Sequence, residues 1–176
     1  MPCAMVTAII LSPSLRARAE RAPEAVARSL AALVRASVEG IVREALIVGP
    51  AGDMLAEIAD HAGCAYVEAS SVKEGLARAL AQARSDMVFV LEGGYAPLTG
   101  FVEEAGDLLR AGDFRGAALR RAPDTMMTRF APSLARAVGV LAPRAALRDA
   151  GPRDLAELLR RLRIRRTLNI RAQKIV

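Results

Sequence analysis

Along the first half of the chain, short apolar runs alternate with longer segments whose apolar residues recur every three or four positions. "MVTAIILS" (Met5–Ser12) is apolar and rich in β-branched residues, and Pro13 stops it, so it predicts a strand buried on both faces. Val26, Leu30, Leu33, Val34 and Val38 follow at helical spacing, with Pro23 suited to a first turn and Gly40 to a stop. "EALIVGPAGD" predicts a second strand ending at Gly49-Pro50. Leu55, Ile58 and Ala62 mark a second helix closed by Gly63, and "CAYVEA" a third strand. Ser71 and Glu74 read as a capping box opening a helix through Leu76, Leu80 and Ala83. "DMVFVLE" (Asp86–Glu92) is the fourth strand.

Fourfold strand–helix alternation implies right-handed crossovers between parallel strands, hence an α/β, doubly wound, mostly parallel central sheet with helices on both faces. Ligands bind such sheets beyond the carboxyl ends of the strands. That rule gathers Ser12-Pro13, Gly49 to Asp53, Ala69 to Lys73 and Glu92 to Tyr95 on one edge.

The second half is less regular. Thr99 is placed to cap a helix through Val102, Ala105, Leu108 and Leu109, and "RGAALRR" reads as a strand. Thr125 to Ala137 looks partly helical, interrupted by Pro132, and "AVGVLAP" is a short strand. Pro152 opens an amphipathic helix with Leu155, Leu158, Leu159 and Leu162 on one face, and the tail "RIRRTLNIRAQKIV" suits a terminal strand or an extended arm. No linker or further repeat interrupts this order.

A chain of 176 residues with 53% hydrophobic content is a single domain by default and too apolar for disorder. Aromatic residues are only 3%, so small-residue packing is expected and base-stacking platforms are disfavoured. The net charge of +6 comes almost wholly from arginine, since Lys73 and Lys174 are the only lysines. This reflects either a compositional preference or a phosphate-bearing partner, whose oxygens match the guanidinium fork. The calculated pI of 10.3 raises nucleic acid as a partner, but no recognisable binding motif accompanies it. Cys3 and Cys64 form neither a zinc set nor a disulfide framework, pointing to a reducing compartment. Ala4 to Leu11 is too short to span a membrane and lacks the charged lead of a secretory signal, so a cytoplasmic protein is expected.

The order of these segments resembles the family 2 glycosyltransferases of the GT-A nucleotide-sugar fold, most strongly from Val6 to Pro97. "AIILSP" matches the family's first strand and its proline, and "VGPAGDMLAEIAD" its acidic loop, with Asp53 at the later aspartate and Gly49 where the base-holding aspartate stands. "SSVKEGLARAL" offers Lys73 near the nucleotide, without the family's asparagine. "LEGG" matches the D-x-D metal motif with Glu92 for the first acid and Gly94 for the second, so the motif is incomplete. "PRDLAELLRRL" resembles the segment bearing the catalytic base; Asp154 and Glu157 remain as acids, while Leu155 takes the base position.

The resemblance implies one GT-A-like domain over residues 1–176, with a nucleotide-binding half (1–97) and a shortened acceptor-side half (98–176). It implies sugar transfer from a nucleotide diphosphate-sugar to an acceptor; the alternative is a catalytically degenerate relative acting as a ligand-binding or assembly protein. Glu92 and Asp154 are then the catalytic candidates, and Ser12, Pro13, Gly49, Asp53, Lys73, Gly93 and Gly94 the nucleotide-binding ones. Magnesium or manganese would rely on Glu92 plus substrate phosphates, because a hard cation needs oxygen ligands. A metal-free site would use Arg, Lys or the Gly93-Gly94 amides instead.

Each candidate also has a structural explanation. Glu92 would suit a turn cap and Gly93-Gly94 a positive-φ turn. Asp53 suits a helix N-cap, Asp154 a favourable first-turn acid, Lys73 an exposed position, and His61, the only histidine, a helix C-terminus. The run Arg160, Arg161, Arg163, Arg165, Arg166 suits either a solvated face or contact with phosphates or a peripheral membrane surface. A homo-oligomer is compatible with all of this.

Overall fold

The computed structural model describes residues 5–16, 19–52, 54–111, 115–123, 135–151 and 154–175. Strand β1 (Val6–Leu11) is buried along its whole length. Pro13 cannot extend it, and Ser12 Oγ accepts from Ser14 N to cap a single 3-10 turn, Pro13–Leu15. Helix α1 (Ala22–Val38) has Pro23 in its first turn, where a missing N–H costs nothing. Strand β2 (Val42–Gly49), helix α2 (Leu55–His61), strand β3 (Ala65–Glu68), helix α3 (Val72–Gln82) and strand β4 (Met87–Glu92) complete the expected rhythm. The capping box differs in one detail. Ser71 Oγ accepts from Glu74 N, but the Glu74 carboxylate reaches Ser70, accepting from its N–H at 3.0 Å and its hydroxyl at 2.8 Å. Those Ser70 bonds hold the Glu74 carboxyl below its ordinary pKa.

β3, β2, β1 and β4 are adjacent in that order and all parallel. Leu11 pairs with both Val48 and Glu92, and Gly49 pairs with Glu68, so the carboxyl ends of all four strands lie level. The sheet then changes character. It continues through β7 (Ala137–Pro143), β6 (Ala117–Arg121), β8 (Thr167–Lys174) and β5 (Tyr95–Pro97). β7 runs antiparallel to both β4 and β6, β8 is parallel to β6, and β5 is antiparallel to β8.

Several second-half expectations are corrected here. Tyr95–Pro97 is a strand, although nothing in its pattern marks it as one. Helix α4 (Phe101–Arg110) starts after Gly100 at φ +98° rather than from a Thr99 cap; its N-cap makes no side-chain bond. A short helix α5 (Arg144–Ala150) follows β7. Helix α6 (Leu155–Arg161) and the terminal strand are present, which resolves the tail as β8 rather than a free arm. Of the segment expected to be partly helical, 125–134 lies outside the described residues, and Ala137 begins β7.

Alternation along the strands sends side chains to two cores. Ala8, Ile10, Ile47, Phe89 and Leu91 meet α1, α2 and α4 on one face. Ile9, Leu11, Val48, Val88 and Val90 meet α3, α5 and α6 on the other. Aromatic packing is confined to Phe89 and Phe101, whose rings lie 4.8 Å apart and tilted, among the described residues.

Only Gly93 and Gly94 separate β4 from β5, yet β5 is the last strand in the sheet order. The sheet must therefore curl until its β5 edge returns beside α1. Ser29 of α1, fully buried, fastens this closure: its hydroxyl donates to Tyr95 O and accepts from Gly94 N, both at 2.9 Å. Gly94 N also reaches Ala25 O, and Gly94 O accepts from Ile175 N. Ser29→Ala leaves the Tyr95 carbonyl without this donor, and an expected loss of about 1–3 kcal/mol should appear as a lower urea midpoint at unchanged m-value.

Candidate functional site

The level ends of β1 and β4, the first turn of α1 and the start of β5 enclose a cavity of about 280 Å³. Its walls include Ser12, Pro13, Gly93, Gly94 and Tyr95, and its charged lining is Arg16, Arg21, Arg136, Lys174 and Glu92. Four cations thus face one carboxylate. The amino end of α1 adds positive potential at the same wall.

Glu92 occupies the last position of β4 and is 8% exposed. A buried carboxylate needs partners, and here they are two guanidinium groups. Arg16 Nη2 lies 2.6 Å from Oε1. Arg136 Nη2 donates to Oε1 at 2.7 Å and to Oε2 at 2.8 Å. Arg16 follows the turn after β1, and Arg136 immediately precedes β7. Because β7 is antiparallel to β4, with Gly139 opposite Leu91, its amino end lies by the carboxyl end of β4. The acid and its partners are thus supplied by three separate chain segments.

The predicted residues divide into two groups. Ser12, Pro13, Glu92, Gly93 and Gly94 come together in the cavity wall. Gly93 N donates to Leu11 O, and Gly94 N to Ala25 O and Ser29 Oγ, so both amides, one option for a metal-free site, serve the fold. A Cβ on Gly93 would stand 3.1 Å from Leu11 O, Pro13 Cδ and Val26 Cγ2, and Gly94 has φ +91°. The glycine pair is thus required by close packing and a left-handed turn.

Gly49 ends β2 at the same sheet edge but does not line the cavity. A Cβ there would lie 2.2 Å from Leu55 Cδ1, so the space where an acidic side chain would begin is filled by a fully buried leucine. Lys73 is exposed in the first turn of α3, whose neighbour Val72 lines the cavity. Asp154 is exposed and absent from the cavity wall; its Oδ1 accepts from Glu157 N at 2.7 Å as the N-cap of α6. Asp53 lies outside the described residues. Sequence reading did not single out Arg16, Arg21, Arg136 or Lys174. For Arg16 a signal existed in its place just beyond a strand end; for Arg136 no local signal existed.

His61 ends α2 and, with Cys64, lines a separate groove of about 530 Å³ between α1 and α2. In the C-terminal basic run all five arginines are exposed, and Arg161 is tied to Glu157 Oε1 and Ala150 O. Among the described residues no helix is long and apolar enough to cross a membrane.

Among the described residues, those lining the cavity do not fit a divalent metal. Both Glu92 oxygens face guanidinium groups, so a cation would have to displace an arginine and settle beside another. Gly94, two residues beyond Glu92, has no side chain to offer. Among the described residues no group of three or more His, Cys, Asp or Glu is placed to hold a metal ion.

No known sequence-family profile matches the chain. No curated protein matches it in sequence either. Solved structures do. A mycobacterial protein superposes with a TM-score of 0.65 at 17% identity, over 97% of this chain and 65% of that one. Glucosyl-3-phosphoglycerate synthase from Mycobacterium tuberculosis, solved with Mn2+, uridine diphosphate and glucosyl-3-phosphoglycerate, gives 0.56 at 18% identity, over 82% of this chain and 58% of that one. Mannosyl-3-phosphoglycerate synthase from Rubrobacter xylanophilus gives 0.56 at 17% identity, over 82% of this chain and 55% of that one. The chain spans less than two thirds of each. Parallel β3-β2-β1-β4 followed by antiparallel β7, together with these superpositions, gives the conclusion that the chain has the GT-A glycosyltransferase fold.

Proposed function

We propose that this chain is a glycosyltransferase-like protein that binds a nucleotide sugar at the carboxyl edge of β1 and β4. The observation that carries the reading is the cation-lined cavity at that edge, where open parallel sheets take their ligands. The M. tuberculosis synthase, solved with uridine diphosphate, supports it as an analogy of fold.

Transfer would further require a group to take the acceptor's proton and positive charge to meet the leaving diphosphate. Arginines supply the second. For the first, Glu92 is the one acid among the cavity's described lining residues, and its two oxygens are engaged. That engagement favours a second reading, in which a degenerate relative binds the ligand without turning it over.

Thermal melting with a panel of uridine, guanosine and adenosine diphosphate-sugars tests both. A ligand at a hundred times its Kd adds about 2.7 kcal/mol to the native state, and a raised Tm with one panel member is the expected result. Release of nucleoside diphosphate in the presence of a sugar acceptor marks a transferase; a shift without release marks the binding protein. No shift with any panel member overturns the proposal.

A further inference from the structure

We infer that the cavity recognises the diphosphate of its ligand without a divalent metal, by the guanidinium groups of Arg16 and Arg136, with Glu92 acting as the buried post that holds them. This deepens the nucleotide-sugar reading and rests on it. In this geometry the carboxylate at the strand end is a positioning group for two cations rather than a ligand for a third.

Three observations converge. Glu92 is 8% exposed, whereas the Arg16 and Arg136 side chains are 35% and 55% exposed, so the acid is interior and its partners extend from it toward the opening. Among the described residues the two guanidinium groups bond to nothing but Glu92. Arg136 reaches both carboxylate oxygens through Nη2 alone. A guanidinium carries five N–H donors in a fixed fork, so each arginine retains donors for phosphate oxygens. Finally, Arg21 and Lys174 line the same cavity; Arg21 is paired with Glu24, and counting that acid together with Glu92 still leaves a surplus of positive charge. A diphosphate supplies the complementary charge, and a divalent cation would add to the excess.

The test is isothermal titration of the full chain with uridine diphosphate and with inorganic pyrophosphate, each in EDTA and in manganese chloride. The expected result is binding of both whose Kd changes less than twofold between the two media. Arg136→Ala should weaken binding at least tenfold, and Arg136→Lys, which keeps the charge but loses the fork, by a smaller factor; far-UV circular dichroism and the melting curve confirm folding. Binding seen only with manganese and abolished by Glu92→Gln overturns the inference while upholding the nucleotide reading. Metal-free binding of pyrophosphate with none of any nucleotide upholds arginine recognition of phosphate and overturns the nucleotide reading. Failure of both probes in both media overturns both. The wild-type comparison of media needs no variant, so a misfolded mutant does not rescue the inference.

Discussion

Gly49→Asp is expected to destabilise the protein by about 3 kcal/mol, the combined cost of overpacking and of burying an unpaired carboxylate. The position closes β2 at the same sheet edge as Ser12. Here a Cβ would meet Leu55 Cδ1 at 2.2 Å and Ser12 Cβ at 3.3 Å. Leu55 is a terminal side-chain contact, which would make the clash cheap on a surface, but it is 1% exposed and has no solvent to swing into. Leu55→Ala alone should cost about 2–5 kcal/mol through the cavity it opens. Because the two substitutions relieve each other, the double variant should be more stable than the sum of the singles predicts. Urea denaturation of the four proteins measures the cycle. A Gly49→Asp variant within about 0.5 kcal/mol of wild type, the usual spread for unstrained surface changes, would show that Leu55 does not close this space.

The second large effect lies at Glu92. Arg16→Ala with Arg136→Ala leaves a buried carboxylate with no partner and should cost about 3 kcal/mol, the low end for a broken buried pair because both arginines are partly solvated. Each single substitution should cost about 1 kcal/mol, since the remaining guanidinium still meets the acid. Adding Glu92→Gln to the double variant removes the stranded charge and should restore most of the loss. That recovery separates a charge effect from lost packing: if the triple variant is no more stable than the double, the guanidinium groups act through contact area instead. These are stability measurements, and they stand apart from whether the same arginines meet a ligand.

Much of the fold was legible from local pattern. The burial of "VTAIIL" on both faces, the proline at its end and the helical spacing from Val26 to Leu33 each require a particular element, and successive elements of this kind leave few topologies. Asp154, a catalytic candidate by resemblance and a first-turn acid by pattern, stands one position earlier as the N-cap of α6. Thr99 illustrates the weakness of local pattern, because Gly100 in a left-handed conformation starts α4 where a hydroxyl was available one residue earlier. Tyr95–Pro97 became a strand because β8 pairs with it, and no residue in those three announces a partner so distant in sequence.

The candidate site divides along the same line. By itself the sequence determined that the first four strands are parallel and that their ends collect Ser12, Gly49 and Glu92 on one edge, because strand periodicity is a property of neighbouring residues. Only the tertiary structure decided that Glu92 is held by Arg16 and Arg136, that Leu55 fills the space beside Gly49 and that the Gly93-Gly94 amides are consumed by the fold. Those pairings depend on the antiparallel return of β7 and on the curl that brings β5 back to α1. The energy of a long-range contact is set by where the packed chain places both partners, and no local window contains the two.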